Sequence, residues 1–263
     1  MPLNISAIRS HLPDTSLHHV PITLYQTIDS TNTQLKRELS AATTIALPHV
    51  CLAEQQTAGR GQADKQWYSP TNKNIYLSIA FAYTQPLHTL EGFSLVTGLA
   101  LVKALSRCGF DKDIRIKWPN DIFHQGQKLA GILIETITQA PQQIYIVAGM
   151  GLNVNMTSMS EDTISRPWTS LASIFNQTQD RNKLTAHIIE QFFSYLALFE
   201  QAGLPAFIDQ WEAHDFLKGK EITLSNANRT CSGIAAGINT RGQLIIQTPK
   251  GMTAHSSGNV MWR

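Results

Sequence analysis

The chain has 263 residues, of which 43% are hydrophobic and 15% charged. Globular domains carry about 25% charged residues, so the composition is lean in charge but rich enough in apolar side chains for a core. It excludes disorder, which needs low hydrophobicity with high net charge. The net charge of +2, from 21 Lys and Arg against 19 Asp and Glu, gives no broad electrostatic surface for nucleic acid. Any anion must be held by a local cluster of cations.

At roughly 150 residues per domain, the length implies one large domain, or one with a small appendage. No run approaches about 18 consecutive apolar residues, and the opening segment lacks the apolar centre of a signal peptide. The three cysteines, Cys51, Cys108 and Cys231, are far apart and odd in number. That argues against a disulfide framework or a Cys-rich zinc site, and the expectation is a soluble cytoplasmic protein.

Residues 22–28 read as a strand. A helix follows from Thr31, which with Gln34 three residues later has the form of a capping box. Residues 50–56 read as a second strand running into 57–74, a stretch with no periodic apolar pattern. Loops of that length in compact domains are usually functional or mobile. A long strand at 74–83 precedes a segment apolar on most sides (Phe93, Val96, Leu99, Leu101, Val102, Leu105), which predicts a buried helix. Three more strands are predicted at 113–118, 127–135 and 144–154. Leu184, Ile188, Phe192, Leu196 and Phe199 then mark a helical stripe, and a further helix lies near 205–213. From Gly219 the helical period disappears. Short segments at 221–225, 231–238, 242–247 and 258–262 predict a small β-barrel of about 45 residues. The expected division is a domain at 1–215 and a second at 216–263, with no internal repeat.

Several nucleotide and catalytic fingerprints fail. There is no GxxxxGK[ST] loop and no Gly-x-Ser-x-Gly elbow. Gly149-Met150-Gly151 has no third glycine and no helix behind it, and His18-His19 has no partner pair at metal spacing. Three segments remain. In Gln55-Gln56-Thr57-Ala58-Gly59-Arg60-Gly61, two glycines bracketing an arginine let backbone N–H groups approach an anion while the guanidinium adds charge; a plain surface turn is the bland reading. In Lys117-Trp118-Pro119-Asn120-Asp121, Lys117 and Asp121 suit a phosphate and its magnesium, although an ordinary hairpin turn fits as well. Lys128 opens the apolar run Leu129-Ala130-Gly131-Ile132-Leu133-Ile134-Glu135, either aimed into a site or snorkelling at a strand end.

Taken in order, these segments resemble the biotin protein ligases. The matches are Asp29-Ser30-Thr31-Asn32, Gln56 through Gly61, Trp67, Lys117 through Asp121, Lys128 through Gly131, and Gly149-Met150-Gly151-Leu152-Asn153. The likeness runs from about residue 22 to the end. It implies an α+β fold, with a mixed sheet flanked by helices and a C-terminal SH3-like β-barrel. It also implies Mg-ATP activation of biotin to biotinyl-5′-AMP, followed by transfer to a lysine of a biotin carboxyl carrier protein or domain.

By the same resemblance Ser30, Thr31, Asn32 and Gln56 line the biotin site, with Gly59, Gly61, Gln62 and Gly131 around it and Trp67 covering the thioether ring or the valeryl chain. Arg60 meets the α-phosphate or adenylate. Lys128 sits against the biotin carboxylate and then the acyl-phosphate, offsetting developing charge rather than moving a proton. Lys117, Asn120 and Asp121 face the triphosphate and Mg²⁺, with Asp121 as metal ligand. Asn153 contacts the adenylate and Trp168 stacks on adenine; core packing is the competing role for Trp168, and helix capping for Thr31.

Two departures from the family pattern carry expectations. The glycine loop, usually Gly-Arg-Gly-Arg-x-Gly-Arg, reads Gly59-Arg60-Gly61-Gln62-Ala63-Asp64-Lys65. Gln62 removes a cation, Asp64 puts an anion where a glycine is usual, and Lys65 keeps a point charge. A charge-assisted hydrogen bond is worth about 1.5–3 kcal/mol, so retention of biotin or the adenylate is expected to fall roughly 10- to 100-fold. An adenylate complex that survives gel filtration would contradict this. Second, about 21 residues precede the first strand, too few for the winged helix–turn–helix of some relatives. The expectation is a ligase without DNA or membrane binding, whose strand edges offer a route to a homodimer. The lipoate and octanoate ligases share the superfamily but lack the Gly-Arg-Gly and Lys-Trp-Pro-Asn-Asp patterns. A non-catalytic biotin-binding protein is the alternative raised by Gln62 and Asp64.

Overall fold

A computed structural model describes residues 1–41, 45–62, 65–111, 113–139, 143–158, 167–226 and 229–262. In chain order the elements are α1 (Ile5–Ser10), β1 (Ile22–Tyr25), α2 (Thr31–Ser40), β2 (His49–Ala53), β3 (Ile75–Tyr83), α3 (Phe93–Arg107), β4 (Ile114–Lys117), β5 (Asp121–His124), β6 (Gln127–Gln139) and β7 (Gln143–Leu152). There follow α4 (Leu171–Phe175), α5 (Arg181–Ala202), α6 (Ile208–His214), β8 (Glu221–Asn226), β9 (Arg229–Ile238), β10 (Leu244–Thr248), β11 (Gly251–His255) and β12 (Asn259–Trp262).

Strands β1 to β7 form a mixed seven-stranded sheet in the order β1-β2-β3-β7-β6-β5-β4, parallel between β1 and β2 and antiparallel elsewhere. Side chains alternate across a strand, so the register decides what each face carries. On one face Leu77, Ile79, Phe81, Ile146, Ala148, Met150 and Ile132 are buried in the main core. They pack beneath α3 and α5, where Phe81 meets both Phe93 and Phe192 edge to face. The opposite face is organised in rows. Tyr76, Gly151, Gly131 and Asp121 stand side by side, as do Ser78, Gly149 and Leu133, and then Ala80, Val147 and Glu135. Helix α2 covers one end of this face, placing Leu35 and Leu39 against Cys51, Ala80 and Val147. Burial pushes the Cys51 thiol up to about 12, so it packs as an inert small hydrophobe.

The predicted buried helix and striped helix are present as α3 and α5, and all five residues of the expected stripe on α5 are buried. Helix α2 starts where expected, but its N-cap is Ser30, whose hydroxyl accepts from the Thr33 N–H at 3.4 Å. Thr31 is the first helical residue, so the capping-box reading is corrected by one position. Two strands were absent from the sequence expectation. Strand β5 follows β4 after the three-residue turn Trp118–Asn120, which contains a cis Trp118–Pro119 peptide; four residues are too few to show a period. Strand β11 is exposed along almost its whole length, so it has no apolar alternation.

The C-terminal strands form the expected SH3-like module, an antiparallel sheet in the order β11-β10-β9-β8-β12. It is tied to the β4–β5 turn: the Trp118 indole N–H donates to the Gly242 carbonyl at 2.9 Å, and Phe123 packs on Phe216 and Trp262. The link into it remains bonded to the core, with the Phe216 N–H donating to the Ile116 carbonyl at 3.0 Å.

Candidate active site

The glycine-bearing face of the sheet opens into a cleft of about 800 Å³, within the size range of small-molecule sites. Three segments wall it: the start of α2, the loop around 59–67, and the β5–β6 hairpin with residues 167–168. Of the residues expected at the site, Ser30, Thr31, Asn32, Gln56, Gly59, Arg60, Gly61, Gln62, Trp67, Asn120, Asp121, Lys128, Gly131, Asn153 and Trp168 all line it. Lys117 does not. It is buried, with its ammonium 5.1 Å from the Trp262 ring centre and 5.9 Å from that of Phe123. That is the join with the C-terminal module, so the expected contact with a triphosphate finds no support in its placement.

One end of the cleft is neutral and polar. Both the N–H and the hydroxyl of Thr31 donate to the Gln56 side-chain oxygen, at 2.9 and 3.1 Å. The Gln56 amide donates to Ser69 at 3.0 Å, and Ser69 donates to the Trp67 carbonyl at 3.0 Å. Asn32 reaches onto the sheet because Gly149 has no side chain: a Cβ there would stand 2.2 Å from Asn32 Oδ1. Buried Ser78 lies 2.7 Å from Thr31 Oγ1 and 2.6 Å from Asn32 Oδ1. Sequence reasoning missed Ser69 and Ser78, which line the cleft, and Glu135 beside it, because nothing in a loop or an alternating strand marks which polar residue points toward a site.

The middle of the cleft has a floor of backbone. Gly131 and Gly151 are cross-strand neighbours, and the Trp67 indole lies on them. A Cβ at Gly151 would come within 2.5 Å of its ring, and one at Gly131 within 3.2 Å. The Trp67 Nε1 atom is buried here without a hydrogen-bond partner. Residues 59–61 and 65–67 are bonded to each other, with the Trp67 N–H donating to the Gly59 carbonyl at 2.9 Å and the Gly61 N–H to the Lys65 carbonyl at 2.7 Å. The Gly61 N–H is therefore satisfied within the loop. Asp64 lies outside the described residues, and Gln62 is exposed at the rim.

The far end is charged. Lys128 Nζ is 2.6 Å from Asp121 Oδ1 and 5.2 Å from the Trp67 ring centre. Strict alternation from Gly131 would send Lys128 to the opposite face. The β5–β6 register shifts between Ile122 and Phe123, and this bulge re-aims the lysine into the cleft. The bulge is held from outside: the Lys128 N–H donates to the Pro167 carbonyl, and the Thr169 N–H to the Lys128 carbonyl, both at 3.0 Å. Trp168 is placed by the same pair of bonds. The Asn120 amide donates to the Ile132 carbonyl at 2.5 Å and that of Asn153 to the Thr169 carbonyl at 3.0 Å. Both side chains therefore brace the charged end while lining it.

Arg60 Nη1 donates to Glu135 Oε1 at 3.1 Å, and the same oxygen accepts from Lys36 Nζ at 2.7 Å. Burial raises the affinity of the Glu135 carboxyl for its proton. The hydrogen bonds from Lys36 and Asn32 and the charges of Lys36 and Arg60 outweigh burial and hold it below the ordinary carboxylate value. Among the described residues no group of three His, Cys, Asp or Glu side chains could hold a metal ion by itself.

Comparison with known proteins agrees with this arrangement. Residues 24–153 match the biotin/lipoate A/B protein ligase family, and residues 218–261 match the biotin protein ligase C-terminal domain. The bifunctional ligase/repressor BirA of Salmonella typhimurium is 35% identical over 245 residues, spanning 93% of this chain and 73% of the relative. The biotin–[acetyl-CoA-carboxylase] ligase of Mycobacterium tuberculosis is 27% identical over 216 residues, spanning 81% and 78%. Among solved structures, the biotin protein ligase of Aquifex aeolicus in complex with biotin and ATP superposes with a TM-score of 0.76. It is 25% identical, with 92% of this chain and 98% of that one covered. The chain belongs to the biotin protein ligase family.

Proposed function

We propose that this chain is a biotin–protein ligase acting in the cytoplasm. The biotin carboxylate attacks the α-phosphorus of ATP, pyrophosphate leaves, and biotinyl-5′-adenylate remains. A lysine amine of a biotin carboxyl carrier protein or domain then attacks the acyl carbon and AMP departs. The observation that carries this reading is the order of chemistry along the cleft: neutral hydrogen-bonding groups, then a glycine floor under an indole, then the Lys128–Asp121 ion pair.

That order fits the substrate piece by piece. A ureido head needs neutral donors and acceptors, which Thr31 and Gln56, bonded to each other, and Asn32, joined to Thr31 through Ser78, supply with Ser30 beside them. The ring and valeryl chain need apolar surface, offered by the Trp67 indole that rests on the Gly131–Gly151 floor and lines the cleft. The carboxylate then arrives at Lys128. Its ammonium has three donors, so it can stay on Asp121 while donating to the carboxylate or acyl-phosphate, as charge develops in each half-reaction. Arg60 reaches the cleft from the glycine loop on the Glu135 side, next to Asn32. Asn153 and Trp168 form the wall assigned to the adenylate and its base.

Magnesium fits as a shared ion. The cleft offers the Asp121 carboxylate, and Mg²⁺ is commonly held by one or two carboxylates together with substrate phosphates. When bound it would neutralise phosphate charge; Asp121, oriented by Lys128, is the residue that would hold it.

The test is exchange of pyrophosphate into ATP with biotin, with lipoate, and with neither acid. Biotin-dependent exchange is expected. Exchange with lipoate alone would move the chain to the sister activity, and none with either acid would leave a binding protein.

A further inference from the structure

We propose that Glu135 is a positioning residue for adenylation: it fixes Arg60 beside the cleft and ties that position to the Asn32 amide of the polar pocket. The assignment to adenylation rests on the ligase reading above; the hold on Arg60 does not.

Glu135 stands on β6 in the row next to Gly149, with a side chain 15% exposed. Three donors from two segments converge on it. Asn32 and Lys36 are four residues apart on α2 and so share one face of the helix; Arg60 comes from the glycine loop. Asn32 Nδ2 donates to Oε2 at 2.9 Å, while Lys36 and Arg60 share Oε1. No neutral side chain of this size could answer three donors. In Glu135→Gln the introduced amide NH₂ would face other donors.

The carboxylate links two parts of the site that are distant in sequence. The Asn32 amide is set from both ends, its oxygen by Ser78 and its nitrogen by Glu135 and the Leu133 carbonyl. Ser78 has one proton and two acceptors within 2.7 Å, so it serves Thr31 or Asn32 at any moment. A head group that engages either residue therefore alters the bond that orients Asn32 toward Glu135. On the other side, the guanidinium has five N–H donors in a rigid plane. Holding Nη1 on Glu135 fixes that plane and leaves further donors for a phosphate. Preorganised donors of this kind accelerate a step because they need not be reoriented as charge develops. Arg60 is itself 41% exposed, so without Glu135 the long side chain would sample solvent.

Two measurements test this. In the ligand-free protein, trypsin cleavage at the Arg60–Gly61 bond, followed by mass spectrometry, should rise about fivefold in Glu135→Gln with other sites unchanged, because local opening governs cutting. An unchanged rate would overturn the hold on Arg60, whatever the enzyme's substrate. In biotin-dependent pyrophosphate exchange, Glu135→Gln should lower kcat about tenfold with KM for biotin altered less than about threefold. In an Arg60→Gln background the same change should lower kcat little further, the remaining effect being on the Asn32 amide and so on KM. Fully additive losses, or a rise in KM with kcat intact, would show that Glu135 acts otherwise than through Arg60. Thermal melts establish that each variant is folded. Faster cutting together with no exchange by the wild-type protein would keep the hold and remove its assignment to adenylation along with the ligase reading.

Discussion

The two faces of the seven-stranded sheet are built from the same strands and do opposite things. Toward α3 and α5, the alternate residues of β3 and β7 are apolar or aromatic, and the aromatic cluster of Phe81, Phe93, Phe192 and Phe199 closes the layer. Toward the cleft the alternate positions of β7 read Val147, Gly149 and Gly151, and Gly131 stands beside the last of them. The cleft is thus made by subtraction. The strands keep their ladders while side chains are removed from one face, so an indole and an asparagine can lie on bare backbone. One face carries stability and the other carries binding, and they should fail separately.

The largest expected effect belongs to the packed face. Phe192 is 2% exposed and touches Phe81, Phe93 and Phe193 edge to face. Phe192→Ala should cost about 3–5 kcal/mol of unfolding free energy, read by denaturant titration. KM for biotin should stay unchanged at temperatures where the variant is folded. A loss of biotin affinity with little loss of stability would break the division. Lys128→Ala is the converse test. Removing one preorganised charge donor from a reaction centre costs on the order of 10²–10³ in rate, and Lys128 is partly exposed and ion-paired with Asp121. Biotin-dependent exchange should therefore fall by about that factor, while the melting temperature moves little. Equal loss of both would make Lys128 a structural lysine.

The same division governs how much could be read from the sequence. The packed face is legible because period-2 strands and the stripe on α5 are direct consequences of burial. The cleft was legible as residue types in order: Ser30-Thr31-Asn32, Gly59-Arg60-Gly61 and Lys128 through Gly131. What stayed hidden was geometry between segments. The bulge that turns Lys128 into the cleft depends on the register with β5, a strand the sequence did not show. The convergence of Lys36, Asn32 and Arg60 on Glu135 depends on how α2 lies over β6. Lys117 shows the reverse failure. It stands in a motif beside Asp121, yet its side chain goes to Trp262 at the join between the two modules, a contact set by the distant C-terminus. Thr31 was misplaced by a single residue, since Ser30 and Thr31 are both N-cap types and the better one, Ser30, takes the position.

The smallest effect is the most direct probe of the bare face. A methyl group at Gly149 would meet Asn32 Oδ1 at 2.2 Å and Cγ at 2.9 Å. Asn32 cannot simply swing aside, because it is 3% exposed and its amide is bonded to Ser78, Glu135 and the Leu133 carbonyl. Gly149→Ala should therefore cost about 1–3 kcal/mol, the usual penalty of overpacking, paid as displacement of Asn32 from the polar pocket. Calorimetric titration should show biotin affinity reduced roughly 5- to 100-fold. Strand pairing should survive, because Gly149 has ordinary strand dihedrals and its neighbours Ser78 and Leu133 keep their ladder positions. Unchanged affinity would mean that Asn32 can leave the floor without consequence, and that the missing side chain at 149 serves the strand rather than the ligand.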